Sequence, residues 1–285
     1  MRIILKGVPS NIGALNYGTE MAPKLLREAE IVSKLSLYHE VVDLGDVELP
    51  KNLIRHNDSP VRNWPSPKIM WEETINQLSL CFEEHDFTIV VGGGCSIFTG
   101  IFGKFHQMYG DRSKIISIDH HIDIKEPSSE ICMGATAYTH WFLTSKNEWF
   151  EKPSDFTKEG IIALGYSEDT ITEGYDISGI TGYSKEEILN IGAKNVIRES
   201  LSSLNSEDKI IVHLDLDVIN ELDLKSVYMP SPNGMKISIV RELLKGIVSD
   251  SRVLGLVVTE FSGVSENSET DAKTVVDLLR SLFER

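Results

Sequence analysis

Six short apolar, β-branched runs recur along the chain with stretches of helical spacing between them, and this alternation restricts the fold more than any other feature of the sequence. The runs lie at Arg2–Lys6, Phe87–Val91, Lys114–Ile118, Gly160–Leu164, Lys209–Leu216 and Arg252–Thr259. Each gives way to polar or glycine-rich residues, as strands do at their ends. Between them, Pro23–Leu37, Trp71–Glu84, Ser96–Tyr109, Lys185–Leu201, Ile237–Val248 and Asp271–Phe283 carry apolar residues at helical intervals. Pro23 suits a first helical turn. Strands and helices in alternation predict an α/β fold: a three-layer α/β/α sandwich in which helices cover both faces of a mostly parallel central sheet. No internal repeat and no long linker divides the sequence, so one domain over residues 1–285 is expected. Leu49–Lys68, with its four prolines, is expected to run over the surface.

Composition narrows the functional classes. A chain of 285 residues with 41% apolar side chains can bury one large core. No apolar run is long enough to suggest a membrane span, and the start MRIILKGVPS is unsuited to a signal peptide. A formal charge of −15 disfavours nucleic acid and anionic membranes and favours cationic ligands. Cys81, Cys95 and Cys132 are scattered and odd in number, which argues against a disulfide framework and for a reducing cytoplasm.

The chemistry concentrates at two strand ends. In parallel α/β sheets, ligands bind at the carboxyl ends of the strands. Asp119, His121 and Asp123 follow directly on the run Lys114–Ile118. Alternate residues of an extended chain share a face, so this spacing aims three donors at one point. Alone, such a cluster is equally a set of turn residues or caps. A second one changes the reading: the apolar run around Ile211 also ends in alternating carboxylates, Asp215 and Asp217. Unpartnered burial would cost several kcal/mol per charge, so two such ends in one sheet imply a shared cation. Carboxylates with imidazole suit divalent ions such as manganese, and bridging carboxylates hold two ions about 3.5–4 Å apart. A paired-metal site makes a nucleophile of water at neutral pH, which points to hydrolysis.

These segments resemble the ureohydrolases, the arginase and agmatinase family, whose metal-binding motifs read G-G-D-H-S, D-A-H-x-D and S-x-D-x-D-x-x-D-P. The corresponding stretches here are Gly92-Gly-Gly-Cys-Ser96, Asp119-His-His-Ile-Asp123 and His213-Leu-Asp-Leu-Asp-Val-Ile-Asn-Glu221. Gly7-Val-Pro9, Gly18-Thr19, Pro23-Lys-Leu-Leu-Arg27 and Asp43-Leu-Gly-Asp46 are similar to the arginase branch, and Val258-Thr-Glu260 to the strand that carries the family's guanidinium-binding glutamate. The resemblance implies an arginase-like domain with two Mn2+ sites. Asp119 and Asp215 would bridge the ions, His121 and Asp217 would complete one, and Asp123 with Cys95 the other. Asp123 would also orient the attacking water, and Glu260 would hold the guanidinium.

Two departures qualify that inheritance. Cys95 stands where the family has histidine and Gly94 where it has aspartate. A thiolate is softer than imidazole and suits zinc or iron better than manganese, so the site near Cys95 is expected to be weak or empty. Downstream, the family's substrate-contacting loop S-G-N-x-H-G is replaced by Ser129-Glu-Ile-Cys-Met-Gly134. Ser129 and Glu130 remain the candidate substrate contacts. Met133 occupies the place of the proton-shuttling histidine and cannot move protons; His120 and His140 are the nearby substitutes, though each reads more readily as a surface-loop or helix residue.

The expected activity is that of a metal-dependent amidinohydrolase cleaving a guanidino C–N bond. Candidate substrates are arginine, N-hydroxyarginine and peptide-embedded arginine, with urea or a substituted urea and an amine such as ornithine as products. The alternative is a non-catalytic arginase-like protein that binds a metal or an amine and regulates a partner. Against it stands the survival of five carboxylates, which repel one another when no cation is present. Members of this family often assemble as homo-oligomers, and the resemblance extends that expectation here.

Overall fold

Eight parallel strands form one sheet in the order β2-β1-β3-β8-β7-β4-β5-β6. The computed structural model describes residues 1–147 and 155–284. In chain order the strands are β1 (Arg2–Gly7), β2 (Glu40–Asp46), β3 (Asp86–Val91), β4 (Ser113–Ile118), β5 (Ile161–Leu164), β6 (Thr181–Tyr183), β7 (Lys209–Asp215) and β8 (Val253–Thr259). The helices are α1 (Ala22–Glu28), α2 (Ile31–Leu35), α3 (Ser66–Gln77), α4 (Ile97–Tyr109), α5 (Thr139–Thr144), α6 (Lys185–Ile191), α7 (Ala193–Ser202), α8 (Ile237–Val248) and α9 (Ser268–Ser281).

Because a strand's side chains alternate between faces, each central strand feeds two cores. Ile3 and Leu5 of β1, Ile116 and Ile118 of β4 and Val212 and Leu214 of β7 join a core under α1, α2 and α6 to α9. Ile4, Ile115 and Ile211 point the other way and pack beneath α3, α4 and α5. The expected three-layer sandwich is therefore present, with every strand pairing parallel. On β7 the second face continues from Ile211 to His213 and Asp215, and this parity carries polar side chains under α4.

The sheet is wider than the six apolar runs suggest. β2 is an edge strand whose residues are exposed or half-buried, and its sequence EVVDLGD mixes carboxylates and a glycine into the apolar pattern. β6 has only three residues. The expected helix Pro23–Leu37 is broken by Glu30, whose φ of 68° is left-handed, and α3 starts at Ser66 with Pro67 in its first turn. The proline-rich excursion returns across the loop after β1. Asn63 donates to Ile12 O at 2.9 Å, Arg62 donates to Leu15 O at 3.0 Å, and Val61 is buried. Among the described residues, no helix is long and apolar enough to cross a membrane.

Topology sets where a ligand can bind. β3 and β4, consecutive among the central strands, lie on opposite sides of the β8–β7 pair. The chains leaving β3 and β4 therefore diverge above the carboxyl ends of β8 and β7, where open parallel sheets place their ligand crevice.

Candidate metal centre and active site

All four strands around that crevice deliver ionisable side chains into it. β3 ends in Gly92 and Gly93, with φ of 103° and 76°. A Cβ on Gly92 would lie 2.4 Å from the Pro23 side chain, so only glycine lets this turn pack against α1. The turn brings Cys95 to the start of α4, where its N–H donates to Glu260 Oε1 at 2.6 Å. Glu260 follows β8 in a left-handed conformation, φ 64°, with its own N–H bonded to Gly93 O at 2.9 Å. Each turn thus holds the other in place.

The two aspartate clusters do not stay extended as their spacing predicts. After β4, the His121 N–H donates to Asp119 Oδ1 at 2.7 Å, and Asp123 takes a left-handed φ of 50°. After β7, the Asp217 N–H donates to Asp215 Oδ1 at 2.8 Å in a short 3-10 turn. Convergence comes from two matching aspartate-capped turns and not from strand periodicity. His140, on α5, braces the first turn from below: its N–H bonds Asp123 O at 2.8 Å and its ring bonds Ile122 O.

The result is a buried, anionic cluster. Asp119, Asp123, Asp215, Asp217 and Glu260 are each 8% exposed or less, and Cys95 is 1% exposed. Among the described residues the only cationic side chain paired with these carboxylates is His121, whose Nδ1 lies 3.0 Å from Asp217 Oδ2 and 3.8 Å from Asp119 Oδ1. Burial, then the charges of Asp215, Asp123 and Asp217, pushes Asp119 well above the usual carboxylate range. Burial, with Asp217 and Glu260, does the same to Asp215. Asp123 is pushed up to about 7 by burial, against the pull of His121, and Glu260 to about 8 by burial. For His121, burial opposes the charge, but the Asp217 hydrogen bond and the surrounding carboxylates outweigh it and raise it to about 9. Burial and the same anions hold Cys95 as a neutral thiol, which donates to Asp215 Oδ2 at 2.7 Å.

Five buried carboxylates with one imidazolium are short of positive charge, and two of their oxygens, Asp119 Oδ2 and Glu260 Oε2, are buried without a hydrogen-bond partner. That shortage is what a divalent cation relieves. Among the described residues, three sets of donor atoms lie within 4.8 Å of one another: Asp119, His121 and Asp217; Cys95, Asp215 and Glu260; and Cys95, Asp119 and His213. The first is an oxygen and imidazole set that manganese accepts, and the other two include sulfur.

Not every candidate is drawn into the cluster. Ser129 and Glu130 are exposed on the loop after β4, and among the described residues no hydrogen bond joins them to it. Met133 is partly buried against the core under α3 to α5, its backbone bonded to the segment around Pro60 and Arg62. His140 lies fully buried beneath the turn, lowered to about 4 by burial. The His120 N–H lies 3.3 Å from Asp217 Oδ1 and its ring stands edge-on to that of His121. His213 and Thr259 are present in the cluster without having been singled out; the available signal was parity, since His213 shares the face of Asp215 two residues on.

Comparison with known proteins places the chain among relatives that share this architecture throughout. The family described as Arginase family matches residues 1–284. The arginase of Bacillus subtilis (strain 168) is 26% identical over 290 residues, 97% of this chain and 96% of that protein. The crystal structure of Entamoeba histolytica arginase in complex with L-ornithine superposes with a TM-score of 0.88 at 17% identity, covering 100% of this chain and 99% of that one. The formimidoylglutamase of Bacillus subtilis superposes with a TM-score of 0.76 at 19% identity, covering 99% and 86%. At these identities the structural likeness is one of fold.

Proposed function

Because the chain belongs to the arginase family, hydrolases acting on C–N bonds of linear amidines, we propose that it cleaves a guanidino C–N bond of arginine or an arginine derivative. The derivatives favoured are N-hydroxyarginine and peptide-embedded arginine, with urea or a substituted urea and an amine such as ornithine as products. The observation that carries this reading is Glu260. One of its carboxylate oxygens is fastened by the Cys95 N–H at 2.6 Å, while the other is buried and unpartnered. A planar guanidinium matches a carboxylate with two parallel hydrogen bonds, which satisfies that oxygen and adds positive charge where the cluster lacks it.

The residues that would hold divalent metal are Asp119, His121, Asp123, Asp215 and Asp217, with Cys95 at the margin. A divalent cation pair bound there would supply a water activated as a nucleophile at neutral pH. The remaining work falls to side chains. Glu260 fixes the substrate's planar end at the floor of the crevice. Asp123 orients the attacking water through its carboxylate. Burial of the cluster excludes bulk solvent, so each electrostatic contact is stronger than in water. At the other end of the substrate, the exposure of Ser129 and Glu130 and the absence of a histidine at position 133 favour a ligand not gripped as a free amino acid.

Turnover assays with manganese supplied, reading urea or hydroxyurea from arginine, N-hydroxyarginine, agmatine and an arginine-containing peptide, and formamide from formimidoylglutamate, test the proposal. Urea or hydroxyurea from a guanidino compound, lost in Glu260→Gln while bound metal is kept, is the expected result. Turnover of formimidoylglutamate alone, or activity indifferent to Glu260→Gln, would overturn it.

A further inference from the structure

Position 95 has lost the family's imidazole, yet the cluster contains another that none of the roles above uses. His213 lies on β7, two residues before Asp215 and on the same face, and is 0% exposed. Its ring stacks on Phe98 of α4, centroids 4.5 Å apart and planes inclined by 15°. One ring nitrogen, Nδ1, is 3.4 Å from Ser117 Oγ; the other, Nε2, is 2.9 Å from Thr259 Oγ1, which in turn lies 3.2 Å from Cys95 Sγ. Donor atoms of Cys95, Asp119 and His213 all fall within 4.8 Å of one another. Asp119 is 2% exposed, and its Oδ2 has no partner.

Positions 95 and 213 both differ from the family motifs, in opposite senses. The G-G-D-H-S motif places histidine at position 95, and the S-x-D-x-D motif places serine at position 213. This chain has cysteine and histidine. Relative to those motifs, the imidazole stands on β7 and the small side chain in the turn after β3, with Asp119 in reach of both.

We propose that His213 replaces the imidazole ligand missing at position 95, so that Cys95, His213 and Asp119 form a thiolate, imidazole and carboxylate site selective for zinc or ferrous iron over manganese. The inference rests on the metal-dependent reading of this cluster but concerns which residues bind and which ion they choose. Ring orientation is preset by the Phe98 stack and the Ser117 contact at Nδ1, leaving Nε2 toward the cluster. The thiol gives up its proton when an ion binds, so uptake releases protons. Sulfur and nitrogen donors together favour borderline-soft ions. A histidine that served only to hydrogen-bond the Thr259 hydroxyl in the core would not influence metal uptake.

The test reads metal, not turnover. Chelator-stripped protein is offered equal zinc and manganese, bound ions are measured by elemental analysis, and cobalt-loaded protein is examined for a thiolate-to-metal charge-transfer band. Wild type should take zinc first and show the band. His213→Ser should weaken zinc binding by at least about a hundredfold, the scale on which lost ligand support acts. Adding Cys95→His to His213→Ser should restore uptake and turn preference toward manganese. Zinc affinity and cobalt spectrum unchanged in His213→Ser, or a double variant that binds no better than the single one, would overturn the proposal. Should His213→Ser fail to fold, zinc-edge X-ray absorption of wild type loaded with one equivalent decides: sulfur with imidazole supports it, and sulfur without imidazole refutes it. Loss of urea release with these metal results intact would count against the amidinohydrolase reading alone.

Discussion

In the metal-free protein, raising the pH from about 6.5 to 8.5 should cost at least about 2 kcal/mol of stability, worked from Glu260 alone. Burial raises this carboxyl from its ordinary 4.5 to about 8 in the folded protein. An acid raised on folding contributes stability that is fully present below its unfolded pKa and is lost as pH climbs through the folded one. Between about 6.5 and 8 the unfolded chain has already ionised Glu260 while the folded one holds it neutral. Each pH unit there costs about 1.4 kcal/mol, and the 1.5 units amount to about 2. The window avoids the opposing histidine effect: His140, lowered to about 4, loses stability only as pH falls below its ordinary 6.5. His121, raised to about 9, loses stability in the same window and in the same direction, but its shift arises from the same carboxylates and is not added. For a domain of this size the loss corresponds to roughly 4–8 °C in Tm. Thermal melts in excess chelator at the two pH values measure it. Glu260→Gln should flatten the slope, and divalent metal should reverse it by favouring the ionised cluster. Parallel slopes for wild type and Glu260→Gln would refute the reasoning, because the loss would then come from general charge repulsion.

Other consequences follow from the same contacts. Asp215→Asn should lower manganese uptake and abolish activity together, yet leave the metal-free protein at least as stable above pH 7, since it removes the cost of burying that carboxyl group among others; full manganese content by elemental analysis would sink the ligand assignment. Asp217→Asn removes the 3.0 Å partner of His121, so in chelated protein the His121 imidazole should titrate well below about 9; an NMR titration still at that value would assign the shift to Asp123 and Glu260. Gly100→Ala would place a Cβ 2.8 Å from the Trp71 backbone where α4 meets α3, and should destabilise by about 1–3 kcal/mol in urea melts; an unchanged midpoint would mean the helices separate freely.

The strands that build the interior were legible because burial on both faces makes a parallel strand apolar throughout. β2 and β6 were not, for the complementary reason. An edge strand needs no continuous apolar run, and EVVDLGD and TGY satisfy their ladder hydrogen bonds on one side while keeping polar side chains in water. The break between α1 and α2 turns on one left-handed residue, Glu30, which helical periodicity does not register. The carboxylate and imidazole types that line the cluster, and their order along the chain, were equally legible, because carboxylates set among apolar neighbours draw notice as candidate cation ligands. Their geometry was not. Extended-strand spacing predicts convergence for the wrong reason, since each cluster turns on an aspartate that accepts the N–H of the residue two positions on.

His213 shows what a motif comparison passes over. Within the chain it looks like a polar interruption of an apolar strand, and against the family pattern it occupies a serine position where no ligand is sought. Only the sheet supplies its significance: β7 lies between β4 and β8, so a side chain on the α4 face of β7 meets Ser117 on one neighbour and Thr259 on the other. Thr259 is the hydroxyl that also reaches Cys95, which arrives from the turn after β3. A change at position 95 and a change at position 213 are thus coupled across three strands through one residue. A buried anionic pocket tolerates losing an imidazole only if the donors left around it can still bind a cation. That requirement makes the paired replacement intelligible where either change alone would leave a weakened site.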